Sequence, residues 1–272
     1  MKYQIGVCEW SLPVNGPSAV VMASKAGFEG IQISDLGGAE QGYPLNNPAI
    51  QEGYLQMAAD YHVVLQSLHP YGLQRTGVML QPVDTPQGRQ GIEEMARCIN
   101  VSAAMGIPSV MVSSFFATLV RNEWDFTVFA DHLRHACRLG QEKGVRIVYE
   151  SVLPPERILR MIEMVGGNLA ICYDTLNPIR WGTGDPRREI PQLAAHIDHF
   201  HVKDAPGDLK GYALIGEGRG DFAGAARVIR SIGYSGWVIS ENYYTLLSAA
   251  GGEDFIELAK RDITAVRAAF AD

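Results

Sequence analysis

The chain has 272 residues, 47% of them hydrophobic and 19% charged, and a formal net charge of −7. This length allows one large core, since α/β barrels of roughly 250 residues fold as a unit, and so apolar a mixture excludes a disordered or fibrous chain. An acidic balance argues against nucleic acid and acidic membrane surfaces as partners, because those are bound by many Lys and Arg.

The N-terminus MKYQIGVCEW lacks the charged-then-apolar layout of a signal peptide, and no apolar run reaches the roughly 18 residues that span a bilayer. The expected location is the cytoplasm. Eight short β-branched or apolar runs then recur: residues 3–9 (YQIGVCE), 30–35 (GIQISD), 63–69 (VVLQSLH), 109–114 (SVMVSS), 146–151 (RIVYES), 169–174 (LAICYD), 199–204 (HFHVKD) and 236–242 (GWVISEN). Between them lie stretches such as 92–105, 126–143 and 253–270, whose apolar residues return every three or four positions. Gly27, Gly106, Gly144 and Gly233 fall where helices end before the next strand. The alternation predicts an α/β fold, a single (β/α)₈ TIM barrel over residues 1–272, with no Ser/Pro-rich linker dividing it. An open doubly wound sheet is the alternative, weakened by the missing dinucleotide fingerprint. Cys8, Cys98, Cys137 and Cys172 have no CxxC spacing and sit in apolar runs, as reduced core residues do.

Polar residues gather at the ends of these strands: Glu9, Asp35, His69, Glu150, Asp174, His201, Lys203 and Glu241. In a barrel that edge is where active sites are built. Taken singly, each is explained by capping a strand or pairing with a local cation. Glu150, Asp174, His201 and Glu241 come from four consecutive strands, however, and three converging carboxylates without a cation repel one another. A divalent ion resolves the repulsion. Oxygen donors with one imidazole suit Mn²⁺, Mg²⁺, Co²⁺ or Zn²⁺, and the absence of a thiolate argues against a structural zinc site.

Lys203 shares the inward parity of His201, which suits it to neutralise an enolate oxygen or bind a carboxylate, or else to snorkel to the barrel rim. His199 has the same parity and no assigned role. Phe200 and Val202 are expected to face the outer helices. The segment GEGRGDF at residues 216–222 lacks a P-loop lysine, so phosphate cradling is a poor reading. It is expected to fold over the barrel mouth, with Glu217 or Asp221 fixing its shape. Trp10, Phe115, Phe116, Trp181 and Tyr243 either wall a pocket or pack.

VYES, CYDTLN, HFHVKD, GEGRGDF and VISEN, in that order and spacing, resemble the xylose isomerase-like barrel superfamily in its sugar phosphate isomerase/epimerase branch. That branch includes ketose 3-epimerases, hydroxypyruvate isomerases, and inosose isomerases and dehydratases. The resemblance implies one divalent ion, Mn²⁺ first, held by Glu150, Asp174, His201 and Glu241. It implies that Glu150 and Glu241 also move protons, one on each side of a ketose. Glu156 would hydrogen-bond the substrate or steer Glu150, and His69 would bind a substrate hydroxyl. Read without the resemblance, Glu156 opens a helix, where a carboxylate favours the dipole, and His69 is a structural histidine. Two positions depart from the ketose 3-epimerases. Asn177 stands where they carry a histidine and would contact the substrate there, and Gly207 stands where they carry an arginine.

The expectation is a metal-dependent isomerase or epimerase of a small carbohydrate, working through an enediolate. A lyase of the inosose dehydratase type would use the same first step. An endonuclease IV-like nuclease is disfavoured by Asn177 and the acidic charge, and a non-catalytic carbohydrate-binding barrel by the intact ligand set. Relatives are often dimers or tetramers, so a homo-oligomer is expected by resemblance.

Overall fold

Strands covered on both faces are apolar along their whole length, and the runs Gly30–Ser34, Ser109–Ser113 and Leu169–Asp174 are buried at every residue. In the computed structural model, which describes residues 3–271, they belong to a set of eight: β1 (Gln4–Cys8), β2 (Gly30–Ser34), β3 (Val64–His69), β4 (Ser109–Ser113), β5 (Arg146–Glu150), β6 (Leu169–Asp174), β7 (Ile197–Val202) and β8 (Trp237–Ser240). These hydrogen-bond in chain order into a closed barrel, β8 pairing in parallel with β1. Closure makes this a TIM barrel and removes the open sheet from consideration.

Packing divides the chain into two units. One holds residues up to 32, 56–64 and from 172 onward, and includes β1, β7 and β8. There Cys8 stands opposite Gln32, and His201 opposite Ile239. The other holds residues 33–55 and 65–171, where β4 and β5 pair from Ser109↔Arg146 to Ser113↔Glu150.

Helices follow most strands, and their starts lie earlier than the apolar period alone suggests. Pro86–Met105 begins six residues before Ile92, because the Thr85 hydroxyl accepts the Gly88 N–H and Pro86 suits the first turn. Glu123–Lys143 is likewise opened by Asn122, whose side chain accepts the Asp125 N–H at 2.9 Å. Gly27, Gly106 and Gly144 end their helices in the left-handed conformation, as the sequence predicts. All four cysteines are buried, and none is in a disulfide. No helix among the described residues is long and apolar enough to cross a membrane.

Two buried carboxylates outside the set Glu150, Asp174, His201 and Glu241 give stability a pH dependence. Asp35 accepts N–H groups of Gly37 and Gly72 at 3.1 and 3.2 Å. Asp262, on the helix Phe255–Phe270, accepts from Ile215 N, Asn242 Nδ2 and Tyr244 OH at 2.7, 2.6 and 3.0 Å. Burial dominates in both and pushes each pKa up to about 6. The folded state therefore holds these protons more tightly than the unfolded chain. The stabilisation is complete below the unfolded pKa near 4 and is lost as pH rises through about 6. Denaturant unfolding is expected to show a loss of about 1 kcal/mol per carboxylate between pH 5 and pH 8, and Asp262→Asn should flatten that slope.

Candidate active site

The register of β1, β2 and β7 fixes the imidazole at the centre of the site. Gln32 Oε1 accepts from His201 Nε2 at 2.8 Å and from the Cys8 thiol at 3.4 Å. That network places the ring proton on Nε2 and the lone pair on Nδ1, and Nδ1 lies 3.7 Å from Glu241 Oε2. A side-chain oxygen holding the far nitrogen is how metal-ligating histidines are oriented.

Asp174 and Glu241 each hold one oxygen on an N–H donor and turn the other to Lys203. Asp174 Oδ1 accepts the backbone N–H groups of Leu176 and Asn177 at 2.8 and 2.7 Å. Its Oδ2 lies 2.8 Å from Lys203 Nζ. Glu241 Oε1 accepts the Trp10 indole N–H at 3.0 Å, and its Oε2 pairs with the same Lys203 ammonium. Burial would raise the Glu241 pKa, but the Lys203 ammonium, with the hydrogen bonds from Lys203 and Trp10, outweighs it and holds the carboxyl below the usual carboxylate range.

Glu150, Asp174, His201 and Glu241 offer ligand atoms that all lie within 4.8 Å of one another. Lys203 against three carboxylates leaves two negative charges, the number that a divalent ion supplies. The donor set therefore fits a hard or borderline divalent cation.

Residues 20–261 match the family model described as xylose isomerase-like TIM barrel. The chain belongs to that family. The 2-epi-5-epi-valiolone 7-phosphate 2-epimerase of Actinoplanes sp. is 31% identical over 228 residues, covering 81% of this chain and 79% of that protein. An inosose dehydratase of Clostridium beijerinckii is 24% identical over 143 residues, 44% of this chain and 48% of that one. Among solved structures, D-allulose 3-epimerase from Methylomonas sp. superposes with a TM-score of 0.77 at 15% identity over 98% of both chains, a likeness of fold.

In this xylose isomerase-like barrel the other residues named from sequence have different surroundings, and Asn177 touches the donor set through its backbone N–H on Asp174. His69, at the end of β3, is buried and its Nδ1 lies 2.9 Å from the Met111 carbonyl. Asn177 is buried at the start of the short helix Asn177–Trp181. Glu156 is exposed in the first turn of Pro155–Val165, a position that suits the helix dipole. Phe116 and Trp181 are exposed, while Tyr243 stacks on Tyr212 at 4.7 Å, under the Arg180 guanidinium. His199 is fully buried, with Nδ1 on Asp198 Oδ2 at 2.9 Å. Phe200 packs edge-on to Tyr234 at 4.8 Å.

The glycine-rich loop is organised differently from the expectation. Asp221 caps the helix Phe222–Ser231, and Glu217 is exposed and pairs with Arg261. The loop closes instead around the buried carboxylate of Asp204. Oδ2 accepts from Gly216 N and Gly218 N at 3.0 and 3.1 Å, and Oδ1 from Gly220 N and Ala205 N at 2.8 Å each. A Cβ on Gly218 would overlap Asp204 Oδ1 and the Ala205 carbonyl, which is why the segment is glycine-rich. Sequence reasoning also missed Gln32, Cys8 and the tether from Trp10. The available signal was Gln32, an amide in the middle of an otherwise apolar strand.

Proposed function

We propose that the chain is a divalent-metal-dependent epimerase or isomerase of a small polyhydroxylated ketone. In this reading Glu150, Asp174, His201 and Glu241 hold the ion, Mn²⁺ by preference, and Glu150 and Glu241 are the acid/base pair. The observation that carries it is the convergence of those four donors within 4.8 Å, in a chain 31% identical to a 2-epi-5-epi-valiolone 7-phosphate 2-epimerase. When bound, the ion would polarise the substrate carbonyl and offset the charge of an enediolate.

The chain's own residues supply the proton chemistry. Glu241, held ionised by Lys203 and tethered by Trp10, takes a proton from the carbon next to the carbonyl. Glu150 delivers one to the same carbon from the other side, which inverts that centre; delivery to the former carbonyl carbon, with a proton passing between the two enediolate oxygens, would instead move the carbonyl. Lys203 is the cation best placed to stay near a developing oxyanion. His69, Asn177 and Glu156 are the further substrate contacts in this reading. Burial raises the Tyr212 hydroxyl pKa, with Lys203 lowering it and Glu241 raising it, so Tyr212 lies within electrostatic reach of the same charges.

Incubation with phosphorylated and unphosphorylated ketoses and inososes in D₂O tests this. The expected result is deuterium uptake at one carbon with rearrangement, lost on chelation by EDTA and restored by Mn²⁺. The match to an inosose dehydratase supports a second reading, elimination of water from the same intermediate, which would appear as loss of a hydroxyl. Failure of every substrate to exchange in metal-loaded protein would sink both.

Lys203→Met separates the lysine's two effects. Removing the ammonium between Asp174 and Glu241 should tighten divalent binding about tenfold or more by calorimetry, since unscreened carboxylates attract the ion more strongly. Turnover should fall in the same variant.

A further inference from the structure

A second donor set of different chemistry lies two residues earlier along β6 and β7. There stand Cys172 and His199, preceding Asp174 and His201 respectively. Cys172, His199 and His201 are all buried and offer ligand atoms within 4.8 Å of one another. The two imidazole centroids are 5.5 Å apart. His199 carries the decisive detail. Its Nδ1 is engaged by Asp198 Oδ2 at 2.9 Å, while its Nε2 is buried with no hydrogen-bond partner among the described residues. A buried polar atom left unsatisfied is destabilising, so its retention calls for a reason. With the proton on Nδ1 facing Asp198, Nε2 presents a bare lone pair, and a carboxylate behind the far nitrogen is the usual support of a ligating histidine.

We propose that Cys172, His199 and His201 form a thiophilic metal site inside the barrel, selective for Zn²⁺, Cd²⁺ or Cu⁺, and competing with the carboxylate site for His201. One thiolate and two imidazoles suit these ions, whereas three carboxylates and one imidazole suit Mn²⁺ or Mg²⁺. Binding deprotonates the Cys172 thiol and releases that proton to solvent. Because His201 belongs to both sets, filling the inner site withdraws an imidazole from the outer one. Soft metals are then inhibitors rather than substitutes.

Titration of the metal-free protein with Cd²⁺ tests this by thiolate-to-metal charge-transfer absorption, to which carboxylates and imidazoles do not contribute. The readout is independent of turnover, so it stands or falls apart from the proposed activity. Cys8 is the control, since it also lies near His201, at 3.7 Å, and forms its own group with His201 and Glu241. The expected result is one equivalent bound with a charge-transfer band in wild type and Cys8→Ala. The band should be absent in Cys172→Ala, and affinity at least tenfold weaker in His199→Gln. Zn²⁺ inhibition of the Mn²⁺-loaded enzyme should weaken in parallel. No band in the wild-type protein, or a band that survives in folded Cys172→Ala, overturns the proposal. Should Cys172→Ala fail to fold, His199→Gln decides, with unchanged affinity counting against the site.

Discussion

Glu241→Gln is expected to lower turnover by about 10³ to 10⁴, the range over which a positioned general base acts, and to weaken divalent metal binding at least tenfold. The two oxygens of Glu241 face two donors, the Trp10 indole N–H on Oε1 and the Lys203 ammonium on Oε2. An amide has one acceptor and one donor end, so either orientation sets an NH₂ group against a donor. The variant thus loses the base, one metal donor and the partner that neutralises Lys203. Asp174 still pairs with Lys203, so the protein should remain folded. Steady-state kinetics with metal content measured on the same sample checks it. Turnover within tenfold of wild type at full metal occupancy would remove Glu241 from the acid/base role.

How much of this was legible in the sequence differs from residue to residue. Strand β6 runs over Leu169–Asp174, the span its apolar run marks out, because a strand buried on both faces leaves an uninterrupted apolar signature. β7 is displaced. The pattern suggests residues 199–204, yet the strand is Ile197–Val202, since Asp204 leaves the ladder to bridge Ala213 and donate its N–H to Asn242 Oδ1 at 3.2 Å. The gathering of Glu150, Asp174, His201 and Glu241 at neighbouring strand ends was readable because charge at the end of a buried strand is conspicuous. The neutral supports were not. Gln32, Cys8 and Trp10 act through contacts 24 to 231 residues apart in the chain, and no local pattern encodes a partner at such a distance.

The same long-range logic makes Asp204→Ala the other substitution of large effect. Four backbone N–H groups, those of Ala205, Gly216, Gly218 and Gly220, converge on its two oxygens. Asp204 is itself buried beside Asn242, which ties Ala213 to Asp262. Truncation would leave donors without an acceptor, at a cost on the order of 3–5 kcal/mol for a buried network that loses its charged member. Gly218→Ala should produce much of the same damage from the other side, because its Cβ has no room against Asp204 and Ala205. Lys203 immediately precedes Asp204, so loosening the loop also frees the ammonium that pairs with Asp174 and Glu241. Both variants are therefore expected to lose stability in denaturant unfolding and to show early exchange of the amides in residues 205–220. Asp204→Asn should be intermediate, since it keeps one acceptor oxygen and turns the other into a donor facing N–H groups. A variant Asp204→Ala that unfolds at the wild-type midpoint, with those amides still protected, would mean that the glycines hold the loop without the carboxylate.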